Sequence, residues 1–374
     1  MDYIVMDLEW NQNPRGADGK DHGIVSEVIE IGAVKLNASM HKVDEFQMLI
    51  RPKVFKKLEY HIRKILNYDE YTLFDEGRPF PEVLQEFREW CGQDFAFCTW
   101  GSTDLMVLQE NMDFYNLEPI KFPLKYYDMQ KVFVEKYMKE QTGCSLDKAV
   151  DFLEIPEKLE FHSAINDARY TAAVIKKARL NEDSQNYVYD TYNHPTKMEE
   201  RIQDFHHGIY EEISEEFPSK QEIMKDKELA RLKCPICERK CVRKLNWFST
   251  NSTTEFATGR CLYHGPVVGK IKFKPAASNG KSSQSKDDKI FVIKTIRRAD
   301  EEELEKIKAK KDAQAKKRRE LQARKMQSKK EEQMKANGGK PVPSPKKSSP
   351  KKKVSSNKAK IPFKKPKNNK AKDE

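Results

Sequence analysis

The chain has no run of roughly 18 apolar residues, the length a membrane-spanning helix needs, so such a helix is not expected. No signal peptide is expected at its start either, where a short apolar run ends at once in charged residues. Its seven cysteines are an odd number, and Cys91, Cys98 and Cys144 are scattered among apolar neighbours. That pattern argues against a disulfide framework and for buried thiols in a reducing, cytoplasmic setting. An excess of positive charge is also missing from most of the chain. Of 70 Lys+Arg and 59 Asp+Glu, 26 and 10 fall in residues 301–374, a net of +16; the other 44 and 49 leave residues 1–300 at −5. At 374 residues the chain is too long for one compact domain.

What is present is a set of carboxylates in three short motifs. Ile4-Val5-Met6 lead into Asp7-Leu8-Glu9, and the apolar pattern resumes at Val28-Ile29-Glu30-Ile31-Gly32-Ala33-Val34. Both read as strands, paired antiparallel. Residues two apart on a strand share a face, so Asp7 and Glu9 point the same way. Phe95 to Trp100 reads as a buried strand, and Asp104 follows a turn at Gly101, at the start of a helix bearing Leu105, Val107 and Leu108. His162 precedes a helix carrying Ile165, Ala168, Ala172 and Ile175, with Ser163 as its N-cap and Asp167 in its first turns. Residues five apart do not share a helix face, so His162 must arch back from its loop. Phe87, Trp90 and Phe114 sit at helical spacing and read as core.

Carboxylates converging on one point repel by roughly 4 kcal/mol per pair at about 4 Å and an effective dielectric near 20. Cations relieve this. All-oxygen ligands favour hard ions, so two Mg²⁺ or Mn²⁺ are expected at Asp7, Glu9, Asp104 and Asp167. His162 is the natural general base, because histidine as a residue type titrates near neutral pH.

The set Asp7, Glu9, Asp104, His162 and Asp167, with the string His-Ser-Ala-Ile-Asn-Asp-Ala, resembles the DEDDh exonucleases of the RNase T and DNA polymerase proofreading-subunit superfamily. The Ile29-Glu30-Ile31-Gly32-Ala33 strand is similar to that family's second strand. The Trp100-Gly101-x-x-Asp104 form looks most like Eri-type and related bacterial RNA exonucleases. The resemblance covers residues 1 to about 180. It implies an α/β fold with an RNase H-like mixed sheet and flanking helices, and hydrolysis of nucleotides from a 3′ end. It also implies a first metal on Asp7, Glu9 and Asp167, a second bridged by Asp7, and Asp104 acting directly or through water. The partner implied is single-stranded nucleic acid with a free 3′ hydroxyl, RNA or short oligonucleotides before DNA. One departure is Trp10, where many members carry a small or hydroxyl residue. Two alternatives stand beside this reading. One is a DNA 3′→5′ exonuclease in repair or proofreading; the other is a nucleic-acid-binding protein whose nuclease fold is inactive.

Beyond the exonuclease domain, residues 1–182, the composition changes three times. Residues 183–228 read as a helical connector, because Met198, Ile202, Phe205, Ile209 and Ile213 recur at helical spacing. Residues 229–298 carry Cys234-x-x-Cys237 and Cys261-x-x-His264 around a hairpin from Val242 to Ala257, with its turn at Asn251-Ser252-Thr253. This resembles a zinc ribbon and suits one structural Zn²⁺, with Cys241 as an alternative ligand. Such a small segment would draw most of its folding energy from the metal. Residues 299–374 begin as a solvated helix to about 336, with no apolar heptad. From Ala336 the Lys, Pro, Ser and Asn composition cannot bury a core and is expected to be disordered. Such a polycation binds phosphate backbones without sequence preference.

Overall fold

Alternation along the first strand decides which side chains meet. In the computed structural model, residues 1–14, 22–66, 68–138, 143–156, 158–180, 187–206, 208–276 and 289–336 are described. The chain forms two compact units, Met1–Gln314 and Ala315–Glu374. β1 (Asp2–Asn11) pairs antiparallel with β2 (Glu27–Leu36), which pairs antiparallel with β3 (Lys42–Leu49). β4 (Phe95–Thr99) lies parallel to β1, β5 (Lys125–Asp128) lies parallel to β4, and β6 (Val188–Tyr189) closes the edge antiparallel. The order is β3-β2-β1-β4-β5-β6, a mixed sheet with helices on both faces, as an RNase H-like α/β fold requires.

Two short helices, α1 (Tyr60–Ile65) and α2 (Glu70–Asp75), follow β3. Ile4, Met6, Leu8, Ile31 and Ala33 pack on one face against α3 (Phe80–Cys91) and α4 (Thr103–Phe114). Val5 and Val34 face α5 (Met129–Tyr137), α6 (Leu146–Phe152) and α7 (Ala164–Ala178) on the other. The thiols of Cys91, Cys98 and Cys144 are buried and unbridged. Phe87 is core, stacked at 6.0 Å on the partly buried Trp90.

One residue sets how closely α7 approaches. A Cβ at Gly32 would lie 2.1 Å from the carbonyl carbon of Ala164 and the amide nitrogen of Ile165. Only a residue without a side chain lets the start of α7 rest on β2 there. Ser163 is the residue before that helix, as expected, but it makes no side-chain cap. Its hydroxyl lies 3.4 Å from Glu30 instead.

The expected connector helix is not formed. Ile202–His206 (β7) and Ile209–Ile213 (β8) are two strands turning at Gly208, whose φ is +68°. β8 pairs with β12 (Ile290–Arg298), some 80 residues away in sequence, through Ile213↔Ile293 and Glu212↔Lys294. Helical spacing was a coincidence of two short strands, and the partner that makes them strands is remote. After the short helix α8 (Lys220–Lys225) come β9 (Val242–Ser249), β10 (Thr254–Cys261) and β11 (Gly265–Pro275). The β9–β10 hairpin turns where expected, with Asn251 Oδ1 accepting the Thr253 amide at 2.9 Å. The order β7-β8-β12-β11-β10-β9 makes one six-stranded sheet across the expected boundary near residue 228.

That sheet is larger than a metal-dependent ribbon. Tyr210, Leu232, Val267 and Ile296 form one core cluster, and Ile223, Leu229, Ile271 and Val292 another. Lys294 and Glu212 form a fully buried ion pair at 2.7 Å, with Tyr210 Oη donating to Glu212 at 2.8 Å. Truncating one partner of such a pair strands the other charge, so the pair enforces the β8–β12 register. The two sheets are joined at Asp204, which accepts from the hydroxyls of Tyr187 and Tyr189, both at 2.6 Å. α9 (Glu301–Ala336) is almost wholly exposed over its described side chains, Ile307 being buried near its start. The basic segment after Ala336 lies outside the described residues. Among those described, no helix is long and apolar enough to cross a membrane.

Gly32→Ala should destabilise the protein by about 3 kcal/mol, the upper end of ordinary overpacking, because the obstacle is backbone. A thermal melt checks this; an unchanged midpoint would mean that α7 can retreat from β2 freely.

Candidate active site

Asp7 sits opposite Gly32 and Glu9 opposite Glu30 in the β1–β2 register, so all four lie on the face toward α7. The α7 N-terminus, admitted by Gly32, brings Asp167 over that face in its first turn. Tyr170, one turn on, holds the preceding loop: its hydroxyl donates to Leu159 O at 2.7 Å and accepts the Leu159 amide at 2.9 Å. Asn166 donates to Glu160 O at 2.9 Å. The loop ends in His162, exposed and in the left-handed region at φ +66°, its amide donating to Asp167 Oδ2 at 3.3 Å. This is the backward arch that the spacing demanded. Ligand atoms of Glu9, His162 and Asp167 lie within 4.8 Å of one another.

Asp104 comes from the opposite face. Gly101 makes the turn after β4 at φ +106°, which a side chain would oppose, and α4 starts at once. β1 pairs with β4 only as far as Val5↔Cys98, so the Leu8 amide is left over on that side. Asp104 Oδ1 accepts it at 3.2 Å. The backbone then bulges between Glu9 and Trp10, and Trp10 packs against the α3–α4 core.

The electrostatics are those of a site lacking positive charge. Burial, then Asp104, Asp167, Glu9 and Glu30, push the Asp7 carboxyl far above its ordinary range. Burial and then Asp167 raise Glu9 to about 8. Asp104 is raised to about 7 and Asp167 to about 6, burial leading in both. Asp167 Oδ1 is also buried with no hydrogen-bond partner. An orphaned carboxylate oxygen inside a cluster of raised carboxyls is the coordination environment a hard cation fits.

Sequence reasoning treated Glu30 only as part of a strand. It is fully buried and accepts from Gln47 Nε2 at 2.8 Å, Tyr68 Oη at 3.2 Å, the Ala164 amide at 3.2 Å and Ser163 Oγ at 3.4 Å. It therefore ties β3, the α1–α2 loop and the α7 N-terminus to β2, the strand paired with the one bearing Asp7. The signal was legible: a carboxylate in an otherwise apolar, wholly buried run.

A second cluster lies in the C-terminal sheet. Cys234, Cys237, Cys261 and His264 place one ligand atom each within 4.8 Å of the others. Cys237 Sγ and Cys261 Sγ are 3.7 Å apart, and His264 Nδ1 is 3.5 Å from Cys234 Sγ and 3.8 Å from Cys261 Sγ. A tetrahedron with bonds of about 2.3 Å to sulfur and about 2.0 Å to nitrogen has edges of about 3.5–3.8 Å, so these spacings suit tetrahedral coordination. Burial opposes ionisation of Cys261, but the Tyr263 and His264 amides help bring its thiol down to about 6. Cys241 is buried beside this group, its thiol close to Cys234, Cys237 and Cys261 and its Sγ also facing Arg239 O at 4.0 Å.

The raised carboxyls imply a pH dependence. Glu9, Asp104 and Asp167 hold protons in the folded state up to pH about 8, 7 and 6, whereas unfolded carboxyls lose them near 4. Between these limits the folded state binds more protons, so stability falls as pH rises. In EDTA the melting temperature should drop from pH 5 to pH 8, Mg²⁺ or Mn²⁺ should reverse the drop, and Glu9→Gln should flatten it. A flat metal-free curve in the parent protein would mean that carboxylate repulsion does not govern its stability.

Residues 4–175 match the family model of the RNase T type, described as an exonuclease. No curated protein matches the chain. Solved structures similar to it include the nuclease domain of 3'hExo, a DEDDh family member, bound to rAMP, at 20% identity and TM-score 0.42, covering 50% of this chain and 96% of that one. Cell-death related nuclease 4 is 17% identical with TM-score 0.41, covering 50% and 66%. The zinc-bound form of an E. coli ExoI–ssDNA complex is 10% identical with TM-score 0.40, covering 57% and 54%. Residues 4–175, just under half of the chain, therefore carry the exonuclease domain that the RNase T family model describes.

Proposed function

We propose that the chain removes nucleotides one at a time from the 3′ end of single-stranded nucleic acid, with RNA or short oligonucleotides preferred. The observation that carries this is the orphaned Asp167 Oδ1 among four raised carboxyls, with His162 beside them. Asp7, Glu9, Asp104 and Asp167 would hold two Mg²⁺ or Mn²⁺. Bound there, the ions supply charge stabilisation for the phosphoryl oxygens and a more acidic attacking water. His162, exposed at the rim on a loop fixed by Tyr170 and Asn166, takes the proton from that water at an imidazole nitrogen. Asp104 is held by the Leu8 amide, so its second oxygen stays available to a ligand. Glu30 keeps the α7 N-terminus, and so Asp167, in register with β1. The Cys234, Cys237, Cys261 and His264 set would hold one structural Zn²⁺, with no open position for chemistry.

The deciding assay uses 5′-labelled single-stranded RNA and DNA of one sequence with Mg²⁺ or Mn²⁺. Products should shorten stepwise from the 3′ end, a 3′-phosphate should slow the reaction, and EDTA should stop it. Asp7→Ala, Glu9→Ala, Asp104→Ala or Asp167→Ala should each abolish most cleavage, and His162→Ala should cost about 10²–10⁴-fold. Internal cuts, loss from the 5′ end, or full activity in Asp7→Ala would sink the reading.

Metal analysis under reducing conditions should find about one tightly held zinc per chain. Cys261→Ser should lose it and loosen the β9–β10 end to protease. The rest of the sheet should stay folded, because the cluster of Ile223, Leu229, Ile271, Phe273 and Val292 around β11 and β12 contains no cysteine. Zinc-free protein with an intact β9–β10 region would show that the cluster needs no metal.

A further inference from the structure

Cations gather where the second sheet meets the first. Lys270, Lys272 and Lys274 alternate along β11, so all three point to one face. The register sets Phe256 and Thr295 beside Lys270, and Thr254 and Ile293 beside Lys272. Lys310 of α9 lies 5.6 Å from the Phe256 ring centroid. Burial and then Lys272, Arg297, Lys131 and Lys310 lower the Lys270 ammonium from its ordinary range, which places all four cations around it. Acids stand only at the margin. Arg297 is paired with Glu303, Lys131 has Asp128 nearby, and Lys274 donates to Thr191 with Asp190 close by. Among the described residues, Lys270 and Lys272 have no carboxylate partner.

Lys131 locates this patch relative to the carboxylates. It lies in the first turn of α5, directly after the carboxyl end of β5. β1, β4 and β5 are parallel neighbours, so their carboxyl ends share one edge of the sheet, the edge that carries Asp7, Glu9 and Asp104. Strands lie about 4.8 Å apart, so β5 is about 10 Å from β1 along that edge. A polyanion leaving the carboxylates across β4 and β5 meets Lys131 and then Lys270 and Lys272.

We propose that this face of β11, with Lys131 and Lys310, grips the phosphodiester backbone of the single strand whose 3′ end occupies the carboxylate site. The proposal rests on the exonuclease reading above. Unpaired like charges held together repel, and a polyanion relieves them while releasing counterions. A single file of lysines with one half-buried aromatic suits one backbone and a stacked base, with no sequence preference.

The test uses the full-length chain in EDTA, where binding proceeds without cleavage, and a 5′-fluorescent single strand of about 20 nucleotides. Lys270→Gln/Lys272→Gln should flatten the slope of log affinity against log salt by about 1.4 and weaken binding roughly 25-fold at 0.1 M salt, the effect of two lost phosphate contacts at about 0.7 each. With Mg²⁺ its KM on that strand should rise by a similar factor with kcat kept. Lys270→Arg/Lys272→Arg should restore the slope. An unchanged slope and affinity in the glutamine variant, or no recovery with arginine, would overturn the proposal. Trinucleotide cleavage by the unmutated protein reports separately on the exonuclease reading: if that fails, the binding measurement still decides this surface.

Discussion

The close approach of α7 to β2 at Gly32 is the contact on which the candidate active site depends. Gly32 lies opposite Asp7, and the missing side chain lets the backbone of Ala164 and Ile165 settle against the strand. That seat puts Asp167 beside Glu9 and turns the His162 loop back toward both. Any side chain there would lift the helix and pull the third carboxylate motif away from the first. The sheet, the helix and the site thus share one steric requirement.

Burial and repulsion act together on what that contact assembles. Burial leads at each carboxyl; repulsion comes next at Asp7 and Glu9, while the Leu8 and His162 amides partly offset burial at Asp104 and Asp167, and all four end above their ordinary range. Without cations such a cluster works against the fold. Glu30 offsets part of the strain mechanically: its four donors come from three different segments, so the carboxylates cannot relax apart without breaking those bonds. Asp104 is restrained from the other face by a strand amide that has no sheet partner on that side.

The C-terminal sheet follows a different logic. Its Cys₃His cluster is built from two tight turns, while its strands pair across long stretches of chain. The buried Glu212–Lys294 pair and the Tyr187–Tyr189–Asp204 bonds hold it in register and join it to the nuclease sheet. This union brings Lys270 of β11 near Lys131, in the first turn of α5. A sheet that looks like a separate module in sequence is in this way joined directly to the exonuclease domain.

Local chemistry was legible without coordinates. Asp7 and Glu9 on a strand, Asp104 after a glycine turn, His162 and Asp167 at a helix start, and the Cys–His knuckles all follow from spacing, because each depends on neighbours a few residues away. The β7–β8 hairpin was not legible: Ile202, Phe205, Ile209 and Ile213 fit a helical stripe, and only β12, far along the chain, makes strands of them. Nor was the choice of His264 over Cys241, which depends on how two distant turns face each other. Sequence by itself determined the residue types and their local faces. Tertiary structure decided which of them meet, because backbone approach at Gly32, pairing across some 80 residues, and the gathering of like charges are contacts that no local pattern encodes.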